Sequence, residues 1–307
     1  MSIVVLADVR IPDEFIQADM SGALSRENDR SSVPAGFMSI NVVRDITLRY
    51  WQIGVIPMLA SEWDQIEAVY EVSDAGAFGV LLRDPKDSNV SQARGKLQGY
   101  MLGVEAGLTG FGNGGPRYGL RKVYAAGSQV RSRPITRPAS GAILYRGGTP
   151  VTIGVGAGNA AISAGPAYVT FVADASRAVN SVTVGATTQV VLASAIPGLV
   201  VGGRLWLDTL SGANAALLND QSHQITNISS ATYTLATNTA GKTITAGSGQ
   251  ARKYPQPDEA LAWAGAYDVP VHFRDDDISW QTVAAQDGDG EILVVGSGIY
   301  LDEVREA

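Results

Sequence analysis

The sequence predicts a mainly β protein, with one packed α-helix and an inserted all-β segment. Three observations carry this. Glycine is abundant, 35 of 307 residues, while charged residues make up only 17%, a combination that favours turns and short strands over long solvated helices. Short β-branched and aromatic runs follow one another from Leu120 onwards at roughly the 8–12-residue spacing of sandwiches and barrels. Between Ser181 and Gln250 only Arg204, Asp208, Asp220 and Lys242 are charged, which sets that stretch apart as a compact β insert. Hydrophobic residues reach 45%, enough to bury a core.

The elements follow in order. "SIVVLADV" is a short strand, and "GALSRENDRSSVPAG" is a polar loop. "DITLRYWQI" alternates Ile46, Leu48 and Tyr50 against Thr47, Arg49 and Trp51, the period of a strand. "SEWDQIEAVYEVSD", residues 61–74, is the one helix. Ser61 with Asp64 resembles a capping box, and Trp63, Ile66 and Tyr70 share a face. "FGVLLRDP" is a strand stopped by Pro85. "GKLQGYMLGVEAG" has no decisive period, and its glycines disfavour a helix; a strand is expected, then the loop "LTGFGNGGPRYG". "LRKVYAAGSQVRSRPI" predicts a hairpin around Ala126–Ser128, and "GAILYRGGTPVTIGV" another at Gly147–Gly148. Within the insert, "TTQVVLA", "GRLWLDTL", "SHQITNI", "TYTLAT" and "GQARKY" read as strands, and "YDVPVHF", "SWQTVAA", "EILVVGS" and "IYLDEV" close the chain.

Several chemistries find no footing. There is no cysteine, which removes disulfides, thiolate zinc ligands and a thiol nucleophile. "GFGNGGP" and "GVGAGN" give G-x-G-x-G without a strand before and a helix after, so turn glycine is the better reading than a phosphate cradle. No G-x-S-x-G elbow accompanies His223 or His272. "DGDGE", Asp287–Glu291, fails the calcium-loop pattern at its sixth and twelfth positions and reads as a tight turn. Trp51, Trp63, Trp206, Trp263 and Trp280 could line a sugar groove, but core packing is the expectation. No catalytic residue, cofactor or metal site is assigned. No apolar stretch is long enough to span a membrane, and no leader pattern is evident, so a soluble protein made in the cytoplasm is expected.

The net charge of −7 is unevenly spread. Pro255–Ala307 carries twelve acidic residues against Arg274 and Arg305, about −10, whereas Met1–Tyr254 carries eighteen acidic and twenty-one basic residues, about +3. That is not the concentrated basic face of a nucleic-acid binder. The acidic segment contains "HFRDDDISW", three aspartates beside one of two histidines. Successive strand side chains alternate, so the three cannot converge on one point. The motif reads as a buried strand ending in an acidic turn, with His272 out of phase with Phe273.

Two separated blocks carry a resemblance. The first is "LRYWQIGVIPMLASEWDQIEAVYEVSDAGAFGVLLRDPKD"; the second joins "LRKVYAAGSQVRSRPITRPASGAILYRGG" to "AWAGAYDVPVHFRDDDISW". Together they resemble a family of tailed-phage and gene-transfer-agent tail proteins, long catalogued as a domain of unknown function and similar to distal tail proteins of long-tailed phages. The matching features are Leu82-Arg83-Asp84 after a strand–helix–strand, Lys122-Val123-Tyr124, Arg133 to Pro138, and Asp268 to Phe273 followed by Asp275, Asp276 and Asp277. The family's glycine-proline start is absent. The low-charge insert is similar to a small β-barrel module of phage tail proteins, with Gly203 where that module's usual strand has an aspartate.

The resemblance implies a β-sandwich belt domain with one helix, built from residues 1–135 and 255–307. Residues 136–180 would form a projecting connector and 181–254 a small all-β insert. It implies a structural, non-enzymatic virion protein of the tail tip: a six-membered ring of this chain joining tail tube to tip, assembled in the host bacterial cytoplasm. Its partners would be its own copies, the tail tube protein, and the hub and tape-measure proteins. DNA would pass through the lumen without sequence-specific contact, and no membrane would be inserted. Arg83, Arg133, Arg137, Asp275, Asp276 and Asp277 are the expected ring-interface residues, since a ring joins unlike faces. The alternative is a carbohydrate- or receptor-binding β protein.

Overall fold

A computed structural model describes residues 3–13, 16, 20–32, 38–44, 47–99, 116–285 and 292–306. Strand accounts for 52% of the described residues and helix for 7%, so the protein is mainly β, with one α-helix lying wholly within the described residues. The chain divides into two compact units. One comprises Met1–Asn89, Ile135–Ser140 and Ala266–Ala307; the other comprises Val90–Pro134 and Gly141–Gly265. The expected division at 135 and 255 is therefore shifted. The hairpin from Arg117 belongs with the second unit, and the long strand Leu261–Phe273 is shared between the two.

The first unit is organised on one mixed sheet. Its strand order is Val5–Arg10, Gly79–Leu82, Leu261–Phe273, Ile299–Glu303, Leu48–Ile53 and Ser21–Ser25. Val5–Arg10 runs parallel to Gly79–Leu82, and the other pairs are antiparallel. Gly79–Leu82 is buried at all four positions, as its unbroken apolar run requires. Leu48–Ile53 buries Arg49, Trp51 and Ile53 and exposes Tyr50; the buried phase thus contains a charge. The helix runs Ala60–Val72 rather than from Ser61. Its start is fixed by Glu62, whose carboxylate accepts the Leu59 N–H at 2.8 Å, not by Ser61 and Asp64. Trp63, Ile66 and Val69 are its buried face. The chain leaves the helix through Gly76 at φ +88°, where a Cβ would stand 2.5 Å from the Phe273 carbonyl oxygen, so only glycine fits.

A second sheet of this unit joins Trp280–Ala285, Ile292–Gly296 and Met58–Leu59, and a separate hairpin pairs Asn28–Ser32 with Met38–Val42. The stretch read from sequence as a polar loop is therefore largely strand. Its serines, asparagine and charges suit a face in water, and the apolar alternation needed for pairing lies in the returning strand.

In the second unit, Arg117–Ala126 lies between Gln129–Ile135 and Tyr168–Phe171. The hairpin turn falls where expected, with Gly127 at φ +59°. The Ile143–Arg146/Thr149–Val151 hairpin likewise turns at Gly147 and Gly148, both at positive φ, as a two-residue turn between right-twisted strands demands. Ala175–Thr183, Thr188–Leu192, Thr232–Leu235, Gln221–Ser229, Arg204–Asp208 and Gln250–Lys253 close into a six-stranded barrel. Val190, Leu192, Leu205, Leu207, Ile225 and Leu235 fill it. Gly203 has its own reason: a Cβ there would stand 2.8 Å from Gln256 Oε1, the oxygen that accepts the Arg204 N–H. The Asp287–Glu291 turn and the Gly-rich stretch 100–115 lie outside the described residues.

Candidate functional site

The acidic end of Leu261–Phe273 is the most distinctive surface of the first unit. Val271 and Phe273 are buried while His272 is only half-buried, so the strand turns His272 away from the core, and its Nδ1 lies 2.8 Å from the Phe273 carbonyl. Arg274 to Asp277 are then all exposed. The turn is held from two sides. Arg274 makes a two-pronged ion pair with Asp302, at 2.6 and 3.0 Å, and its guanidinium stacks near Tyr50 and Tyr300, 5.4 and 5.1 Å from the ring centres. Tyr70 donates its hydroxyl to the Asp276 carbonyl at 2.5 Å while its ring meets Phe273 edge-on at 5.3 Å. Loss of water around the Tyr70 hydroxyl, and then the negative charges of Asp276, Asp277 and Glu71, raise its pKa. It stays a neutral donor at physiological pH. Asp275 and Asp277 line a shallow depression with Ile278 and Tyr300. The outcome is a solvent-facing anionic turn, held by Arg274 and Tyr70.

The expected interface arginines behave differently from the aspartates. Arg83 is bonded to Asp268 through Nε and Nη2 at 2.8 and 3.2 Å. Arg137 makes a two-pronged pair with Glu306, including Nε contacts of 3.0 and 3.1 Å. Both are committed inside one chain. Arg133 is buried on its strand in the second unit. Sequence reasoning missed Arg49, whose buried guanidinium faces Asp84 and Asp87 and whose N–H is bonded to Glu303 at 2.9 Å. It also missed Arg146, which joins Asp174 and Glu259. The hydrogen bonds of Asp174 and Glu259 raise the Arg146 pKa further above its ordinary value. Burial would raise Glu259, but its bonds from Arg146 and the Gln256 N–H outweigh that and lower it. The charge split signalled only part of this: Glu303 and Glu259, after residue 255, meet Arg49 and Arg146 before it, whereas Asp84, Asp87 and Asp174 belong to the mildly basic body and gave no such signal.

The other histidine is structural in its contacts. His223 sits inside the barrel wall with Nε2 2.9 Å from the Leu218 carbonyl and Nδ1 2.7 Å from Thr237 Oγ1. The carbonyl can only accept, so Nε2 carries the proton and Nδ1 accepts from Thr237. Burial lowers its pKa. Among the described residues no group of three or more His, Asp or Glu side chains is placed to hold a metal ion. Trp51, Trp63, Trp206 and Trp263 are core residues, whereas Trp280 is exposed. No helix among the described residues is long and apolar enough to cross a membrane.

No protein-family model matches the chain, and no curated protein is detectably similar to it.

Proposed function

We propose that the chain is a structural subunit of a phage-like tail tip, a distal-tail-type protein that assembles with its own copies into a ring. The observation that supports this best is where the motif residues meet. "LRD" at 82–84, the segment around Arg137, and "DVPVHF" at 268–273 are far apart in sequence, yet all lie in the first unit, where Arg83 is bonded to Asp268. Arg137 pairs in the ladder with Asp268 and in charge with Glu306. These motifs are the seam of one folded module, which explains their occurrence together, and they leave the Asp275–Asp277 turn free for a neighbour. The barrel is the inserted module of the same reading, and the role is structural, without catalysis.

Light-scattering mass measurement with negative-stain microscopy of the purified full chain tests the proposal. A closed ring of about six times the 32.1 kDa chain mass, recruited by purified tail tube protein, is expected. A monomer at every concentration, with no affinity for tube protein, overturns it.

A further inference from the structure

The hairpin Asn28–Ser32/Met38–Val42 is half of a packed structure. Directly opposed residues of an antiparallel pair share a face. One face therefore carries Asn28 and Arg30 with their partners Val42 and Ile40, and Met38 two residues before Ile40, and the other carries Asp29 and Ser31 with Asn41 and Ser39. The second is wholly polar. The first has an apolar row, yet Met38, Ile40 and Val42 are 63%, 52% and 60% exposed. An isolated two-stranded hairpin is marginal in water, and alternation of this kind belongs to sheets with one face covered. Arg30 stands on the same face beside Ile40, exposed, with no ion pair among the described residues.

A surface of matching character lies elsewhere on the same unit. Trp280–Ala285 ends its three-stranded sheet and is paired on one side only among the described residues. It exposes Trp280 and Val283, at 53% and 52%. Three residues before Trp280 the Asp275–Asp277 turn supplies three exposed carboxylates, held in place by Arg274 and Tyr70. One surface offers an apolar row beside a cation; the other offers an apolar edge beside a cluster of anions.

We propose that the hairpin of one copy packs against the Trp280–Ala285 edge of the next, with Arg30 facing the Asp275–Asp277 turn. The inference rests on the ring reading and names the contact that makes the ring. The occupant is a second copy because both complementary surfaces are on this chain, in apolarity and in charge, and because a contact between unlike surfaces repeats head to tail and closes with rotational symmetry. Covering the edge also removes an exposed template for unregulated pairing.

The chain has no cysteine, so cross-linking is clean. Full-length Met38→Cys and Val283→Cys proteins are prepared separately, mixed in equal amounts and oxidised mildly. A disulfide-linked heterodimer is expected, and a covalent ladder from the double variant. In parallel, Arg30→Glu weakens self-association roughly tenfold, the scale of about 1.4 kcal/mol, and Arg30→Glu with Asp276→Lys recovers it. Both hairpin positions are exposed, so the variants keep the wild-type melting temperature. Rings that form without any Met38–Val283 cross-link and without charge-swap recovery overturn this contact while leaving the ring reading intact. A chain that stays monomeric throughout overturns both.

Discussion

Replacing Arg137 by Met separates a role inside the subunit from a role between subunits. The Arg137 and Glu306 side chains are only 10% and 7% exposed, and the guanidinium meets the carboxylate through two nitrogens. Removing the cation leaves Glu306 desolvated and without its partner. Breaking a fully buried pair costs about 3–5 kcal/mol. Both ends here keep a little access to water, so the lower part of that range, about 3 kcal/mol, is expected. At about 3 °C per kcal/mol for a unit of this size, melting of the first unit falls by roughly 10 °C. The double variant Arg137→Met/Glu306→Leu replaces charge by apolar volume and recovers most of the loss, within about 1 kcal/mol of wild type. Urea titration and calorimetry on all four members of the cycle give the coupling directly. A single variant with unchanged stability but abolished self-association refutes the assignment, because it places Arg137 at an interface.

Three further outcomes follow from the same contacts. Tyr233→Phe removes the hydroxyl that accepts the buried Ile196 N–H at 2.9 Å. The orphaned donor costs about 1–3 kcal/mol, seen as a lower urea midpoint for the barrel, and an unchanged midpoint would show that the bond contributes nothing. His223 has a folded-state pKa lowered by burial, so the unfolded chain binds its proton first. Barrel stability is then full above about pH 6.5, the ordinary histidine value, and declines as pH falls through the window below it; His223→Gln removes that slope between pH 7 and 5, and a variant with the wild-type slope contradicts the assignment. Changing Asp275, Asp276 and Asp277 together to Asn leaves melting within about 0.5 kcal/mol, as for exposed residues, but weakens self-association and flattens its dependence on salt. Sedimentation at low and high salt checks this, and identical profiles for the variant and wild type would contradict it.

The fold was most legible where one physical demand acted alone. Gly127, Gly147 and Gly148 marked hairpins because positive φ excludes most side chains. The barrel was marked by its poverty of charge: a closed sheet has no edges to protect, so Thr and Ser suffice outside while Val and Leu fill the inside. The helix face was readable from Trp63 and Ile66, but its start was not, since Glu62 caps Leu59 from the first turn and Ser61 offered a competing signal. The unit boundary was illegible because the strand Leu261–Phe273 passes from one unit to the other without any break in composition. Arg83 and Arg137 were expected at an interface between copies, and the structure pairs them with Asp268 and Glu306 of the same chain. Sequence order shows that charges balance, but not whether the balancing carboxylate lies in the same chain; Asp268 and Glu306 do. The hairpin was hidden by its polar strand, although Met38, Ile40 and Val42 alternate with Ser39 and Asn41.

The solution mass of the full-length wild-type chain, followed from nanomolar to micromolar concentration by light scattering and imaged at the plateau, bears most directly on the account. A single closed species of about six subunits, lost in Ile40→Asp and Trp280→Asp proteins that keep the wild-type melting temperature, is the predicted result. A monomer across the whole range contradicts it.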